Sequence, residues 1–178
     1  MNRIKIVANI LRIILLTIMV MLPILHYLLW LCVDPLQAAT SNTVVLAWPT
    51  LETLKETWQL SMIGGSVDLI NVLFEMMVCY FLAKLFKLYA NERFFTKANV
   101  ACFRNLGLAI LFGKIVSYLE APLLSYILTW LYNPAAAKYT FVFRSTDLSV
   151  LLFAIFLIII SWIMGEAVKM SEEQELTI

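Results

Sequence analysis

Charged residues and histidine are scarce in this sequence. Only 14% of the 178 residues are Asp, Glu, Lys or Arg, and there is a single histidine. Charged residues make up about a quarter of an ordinary soluble domain, so the composition excludes that class. The net charge of +1 excludes a broad basic surface, and we expect no direct contact with nucleic acid.

Cysteine and glycine are also few, with three and five copies. Cys32, Cys79 and Cys102 form no C-x-x-C pair and no Cys/His ligand spacing, so we interpret them as small buried hydrophobic residues. The chain contains no G-x-S-x-G or H-E-x-x-H motif and no phosphate-binding glycine loop. We therefore expect no catalytic site, no cofactor and no metal, in a protein that is not an enzyme.

Hydrophobic residues make up 62% of the chain, and the mean hydropathy is +0.89. Four apolar stretches, at about 11–33, 62–83, 106–131 and 148–168, are each long enough to cross a bilayer as a helix, which takes about 20 residues. The first exceeds the ~7–15 residue core of a signal peptide, so we expect it to be retained. The sequence predicts a single all-α membrane domain over residues 1–178, a four-transmembrane-helix bundle.

The basic residues indicate how the spans are oriented. Nine of them flank one side: Arg3, Lys5, Arg12, Lys84, Lys87, Arg93, Lys97, Arg104 and Lys169. The other side has Lys55, Lys138 and Arg144. By the positive-inside rule, both termini are predicted to be cytoplasmic.

The segments between the spans follow from this topology. They are an outer loop at 34–61, a basic inner loop at 84–105, an outer loop at 132–147 and an acidic cytoplasmic tail at 169–178. In the first outer loop, Pro49 and Thr50 resemble a helix start, and Leu51, Leu54 and Trp58 recur at helical spacing. These residues predict a short helix lying on the outer membrane surface. In the inner loop, Thr96 is a candidate N-cap.

Six polar residues inside the predicted spans are candidate site residues, because charges there are costly and tend to face the bundle interior or a partner. They are His26, Asp68, Asn71, Glu75, Lys114 and Glu120. With about 1.5 Å of rise per residue, Glu75 and Lys114 both lie about 13–15 Å from the cytoplasmic edge. We predict that these two side chains form an ion pair between helices.

Asp68 and Glu120 lie about 24 Å from the same edge, and His26 lies about 21 Å from it. One imidazole and two carboxylates are therefore expected at one level in the outer third of the membrane. Three interpretations remain open: hydrogen bonds that fix helix packing, a proton or cation path, and a metal site that lacks local ligand spacing.

Two segments carry a family resemblance. The inner loop reads Asn91-Glu92-Arg93-Phe94-Phe95-Thr96-Lys97-Ala98-Asn99, and the chain closes with Glu172-Glu173-Gln174-Glu175-Leu176-Thr177-Ile178. They resemble the G-x-x-F-[ST]-x-x-N loop and the E-E-N-E-L-T-I tail of the bacterial domain of unknown function 2975 membrane-protein family. Asn91 departs from the usual Gly, and residues 165–169 depart from an A-E-x-F pattern.

The resemblance implies a multi-pass protein of the cell inner membrane with no established activity. Family members are commonly encoded beside a small helix-turn-helix regulator, which implies a cytoplasmic DNA-binding partner and a regulatory role. The expected interaction residues are Phe95, Thr96, Asn99, Glu172, Glu173, Glu175, Leu176, Thr177 and Ile178. The tail could instead dock on the basic inner loop of the same chain, and a homo-oligomer is left open. The alternative function is a small proton- or ion-coupled transporter or conducting protein that uses the polar interior.

Overall fold

The structure, a computed structural model, describes residues 2–32, 51–132 and 145–175. It contains four long helices: α1 (Asn2–Cys32), α2 (Leu51–Ala90), α3 (Lys97–Tyr132) and α4 (Ser145–Glu175). The described ranges contain no β-strand. The prediction of an all-α fold with four long helices is therefore confirmed.

All four helices are long and apolar enough to cross a bilayer. Their apolar side chains are widely exposed, as Ile13 (64%), Leu119 (70%) and Leu152 (59%) illustrate. In α1 the one buried side chain among residues 3–32 is Ala8. A water-soluble protein rarely presents so much continuous apolar surface, whereas lipid solvates it. The protein is a multi-pass integral membrane protein whose helices contact the bilayer.

The short surface helix predicted in the first outer loop is not a separate element. Pro49 and Thr50 lie outside the described residues, and the helix that begins at Leu51 continues without a break to Ala90. No proline interrupts residues 51–90. Gly64 and Gly65 cost a helix only about 1 kcal/mol each, and close packing of Tyr27 and Trp30 against them offsets this cost.

One compact unit comprises the described parts of residues 1–20, 74–114 and 145–178. Within it, α3 and α4 pack antiparallel. Gly107 lies against Ala154 and Ile158, and Ser161 Oγ donates a hydrogen bond to the carbonyl oxygen of Val100 at 2.9 Å. Because Gly107 has no Cβ, the two backbones approach closely.

A second compact unit comprises the described parts of residues 21–73 and 115–144. It contains the last part of α1, the first part of α2 and the second half of α3. Trp30 and Tyr27 of α1 cover Gly64 and Gly65 of α2, and Leu128 of α3 is almost completely buried. This unit contains the polar cluster described next.

Candidate functional site

The polar cluster comprises His26, Trp30, Asp68, Asn71 and Glu120. His26 Nε2 lies 3.0 Å from the carbonyl oxygen of Gly65, and His26 Nδ1 lies 3.7 Å from Asp68 Oδ2. Trp30 Nε1 donates a hydrogen bond to the same Asp68 oxygen at 3.1 Å. Two aromatic side chains of α1 therefore contact the carboxylate of Asp68.

Asn71 links the two carboxylates of the polar cluster. Its Nδ2 donates to Asp68 Oδ1 at 3.0 Å and also to Glu120 Oε2, so one amide joins α2 to α3. Glu120 is 6% exposed. Glu120 Oε1 and Asn71 Oδ1 are buried and accept no hydrogen bond from any residue that the structure describes. The cluster thus offers two acceptor oxygens to a hydrogen-bond donor such as water.

The spacing along α2 explains why these groups meet. Gly65, Asp68 and Asn71 recur every three residues and share one side of the helix. Small residues at 64 and 65 let Trp30 approach the backbone of α2. Trp30 was not among the site residues predicted from sequence, although it lies four residues after His26 and therefore on the same face of α1.

The predicted Glu75–Lys114 ion pair is wrong. Lys114 Nζ lies 2.7 Å from Asp147 Oδ1, in the first turn of α4, while Glu75 is exposed. Phe74 is the α2 residue that packs against Gly113, beside Lys114. Glu75, the next residue, points about 100° away around the helix. The depth of a residue in the membrane does not specify how α2 is rotated about its own axis.

Within 2–32, 51–132 and 145–175, no three His, Cys, Asp or Glu side chains are grouped so that they could hold a metal ion. The polar cluster is built instead around hydrogen bonds from an amide and an indole.

The inner loop between α2 and α3 has a defined backbone. Glu92 has a φ of 60°, in the left-handed region. Its N–H bonds the carbonyl of Tyr89, and the N–H of Arg93 bonds the carbonyl of Leu88, both at 3.0 Å. This pair of bonds is a Schellman motif that ends α2 and satisfies its last carbonyl groups.

Thr96 and Asn99 fix the other side of the loop. Thr96 Oγ1 accepts a hydrogen bond from the N–H of Asn99, so Thr96 is the N-cap of α3 as predicted. Asn99 is completely buried, and its Nδ2 donates to the carbonyl oxygens of Arg93 and Phe94. Phe95, held between these fixed points, is 76% exposed.

Among the described residues, an ion pair joins the acidic end of α4 to the inner loop. Glu172 Oε2 lies 2.8 Å from Lys97 Nζ, and both side chains are exposed. The helix α4 continues through Glu173 to Glu175, so this part of the predicted tail is helical. Leu176, Thr177 and Ile178 lie outside the described residues. The Lys97–Glu172 contact joins the start of the predicted tail to the inner loop, and docking of its last residues stays a prediction.

The sequence pattern of a family described as "Protein of unknown function (DUF2975)" matches residues 36–178. The chain belongs to this family. The DUF2975 match includes α2, α3, α4 and the inner loop, together with Asp68, Asn71 and Glu120 of the polar cluster. It begins after α1, which carries His26 and Trp30. No curated protein and no solved structure matches the chain.

The DUF2975 description states no activity, and function resides in particular side chains and not in the fold. Two places in the molecule concentrate chemically informative groups. One is the polar cluster, and the other is the inner surface formed by the loop 91–96 and the end of α4.

Proposed function

We propose that this DUF2975 protein is a non-enzymatic regulatory protein of the bacterial inner membrane, with both termini in the cytoplasm. Its inner surface, formed by the loop 91–96 and the end of α4, binds a cytoplasmic helix-turn-helix regulator. The observation that carries the proposal is the exposure of Phe95 on a loop that is fixed on both sides.

An exposed aromatic side chain on a rigid backbone is well suited to binding a protein. Aromatic residues are enriched at interface hot spots, and a segment that is already ordered loses little entropy on binding. The membrane is a poor alternative partner. Phe95 lies nine residues before Arg104, the predicted edge of the span, so it stands about 14 Å beyond that edge.

The acidic end of α4 adds charge complementarity. DNA-binding proteins carry basic surfaces, which acidic side chains attract. Glu172 is one such acidic side chain, and its contact with Lys97 is exposed to solvent. An exposed ion pair contributes only ~0–1 kcal/mol, so a cation of the partner can replace Lys97 at little cost.

The test is capture of the regulator encoded beside the gene from detergent solution. Deleting residues 172–178 and substituting Phe95→Ala should each weaken capture by about tenfold or more, because loss of an interface anchor costs at least 1–2 kcal/mol. Phe153→Ala is the matched control, since Phe153 is also exposed but lies in the first third of α4, far along the helix from Glu172. Equal capture by all four chains would refute the proposal.

The polar cluster favours a second candidate, a proton- or ion-coupled transporter. The supporting observation is the buried Glu120, whose Oε1 accepts no hydrogen bond from the described residues. Buried intramembrane carboxylates recur in proton relays. In vesicles containing the purified protein, Asp68→Asn and Glu120→Gln should then abolish flux, while deletion of residues 172–178 should leave it unchanged. If the protein is a regulator, deletion of residues 172–178 should weaken capture, while Asp68→Asn and Glu120→Gln should leave capture unchanged.

A further inference from the structure

A cavity of about 430 Å³ lies between α1 and α2 in the first compact unit. Four of its lining residues are cations: Arg12, Lys84, Lys87 and Arg93. Four basic side chains around one cavity repel one another, and this repulsion is relieved by a bound anion.

None of these four cations has a carboxylate oxygen within 4 Å among the residues that the structure describes. The ion pairs in that part of the chain involve Lys5, His26, Lys97 and Lys114 instead. An anion that neutralises these cations would therefore come from outside the described residues.

The lining changes from polar to apolar along the helix axes. Arg12 and Lys84 mark the predicted inner edge of the first two spans. Leu16 and Tyr80 line the cavity about one turn, or ~6 Å, further into the hydrocarbon. On the other side, Lys87 and Arg93 extend toward water. A phospholipid that lies along the membrane normal has the same order of groups, with acyl chains in the hydrocarbon and a charged headgroup toward water.

We propose that this cavity binds the headgroup of an anionic phospholipid in the cytoplasmic leaflet. Arg12 and Lys84 contact the phosphodiester group, since guanidinium and ammonium groups both bind phosphate through charge-assisted hydrogen bonds. Lys87 and Arg93 contact further headgroup oxygens, and Leu16 and Tyr80 cover the start of the acyl chains. A soluble phosphate would use the cations but leave this apolar side without a partner. Basic pockets between helices at the cytoplasmic side suit such headgroups.

The experiment uses the full chain purified in an uncharged maltoside detergent. Binding is measured with fluorescent phosphatidylglycerol, competed by cardiolipin, phosphatidylcholine or glycerol 3-phosphate. One variant carries Arg12→Gln, Lys84→Gln and Lys87→Gln. The control carries Arg3→Gln, Arg104→Gln and Lys169→Gln, which removes the same charge outside the cavity.

The cavity variant should bind phosphatidylglycerol about 100-fold more weakly, because each basic side chain near an anionic lipid contributes about a fivefold factor. The control should change binding by less than about threefold. Should the triple variant not fold, Lys87→Gln alone should weaken binding about fivefold. Cardiolipin should compete, and phosphatidylcholine should not.

Three results would overturn the proposal. Equal losses in the two triple variants would assign binding to overall charge. Competition by phosphatidylcholine at the same concentration would show that the headgroup charge is not recognised. Competition by glycerol 3-phosphate as effective as that of the lipid would assign the cavity to a soluble phosphate. The proposal does not depend on the regulatory function proposed above.

Discussion

The Lys114–Asp147 ion pair gives the most direct test of how α3 and α4 pack. Its atoms are 2.7 Å apart, and the side chains are 28% and 12% exposed. Removing one partner of a buried pair leaves an uncompensated charge and costs about 3–5 kcal/mol. Because Lys114 is partly exposed, we expect Lys114→Met and Asp147→Leu each to lower the free energy of unfolding by about 3 kcal/mol.

A double-mutant cycle separates the pair from the two side chains. The double variant removes both charges of the pair, so it should recover about 2 kcal/mol relative to the sum of the single losses. Full recovery is not expected, because Asp147 also lies in the first turn of α4 and interacts with the helix dipole, worth about 0.3–1 kcal/mol. The measurement is reversible unfolding in mixed micelles as sodium dodecyl sulfate is increased.

The double-mutant cycle also has an outcome that would refute this packing of α3 and α4. Strictly additive losses would mean that Lys114 and Asp147 do not interact. Glu75→Gln is the matched control, and it should change the free energy of unfolding by less than about 0.5 kcal/mol because Glu75 is exposed. A coupling of Lys114 to Glu75 larger than that to Asp147 would show that α2 is rotated toward α3.

Three further predictions use the same unfolding assay. Gly107→Ala should destabilise the protein by about 1–3 kcal/mol because the new Cβ meets backbone of α4, whereas Gly165→Ala should stabilise it by up to about 1 kcal/mol because its Cβ meets one methyl group at 3.6 Å. Glu92→Gly should stabilise by up to about 1 kcal/mol, because relief of the left-handed backbone outweighs an exposed ion pair; a loss would contradict this. Asn71→Leu should cost about 2–4 kcal/mol by leaving two carboxylates without their shared donor, and a neutral result would contradict that bridge.

The common level of three polar side chains could be predicted from the sequence. Helix rise is constant, so counting from basic residues put His26, Asp68 and Glu120 at one depth, and the structure brings these side chains into one cluster. Thr96 was predicted as an N-cap because its side chain is suited to that position whatever the tertiary fold.

Rotation and register could not be predicted in the same way. Glu75 lies about level with Lys114, but the α2 surface toward α3 is formed by its neighbour Phe74. Asp147 was assigned to an outer loop because it precedes the apolar run of the fourth span. The start of α4 lies beside Lys114 because of the axial register between α3 and α4. This register is fixed by the close approach of the two helices at Gly107. No local sequence pattern encodes that contact.

The basic residues inside the predicted spans and those at the predicted membrane edge differ in their partners. Lys114, inside a predicted span, has an acidic partner on another helix, as expected where an unpaired charge is costly. Arg12, Lys84 and Lys87 lie at the predicted edge of the membrane without such a partner among the described residues. Unpaired cations there cost little in contact with water and attract anionic lipid. Lys114 is therefore balanced by the chain itself, whereas on our proposal the cations of the cavity are balanced by the lipid bilayer.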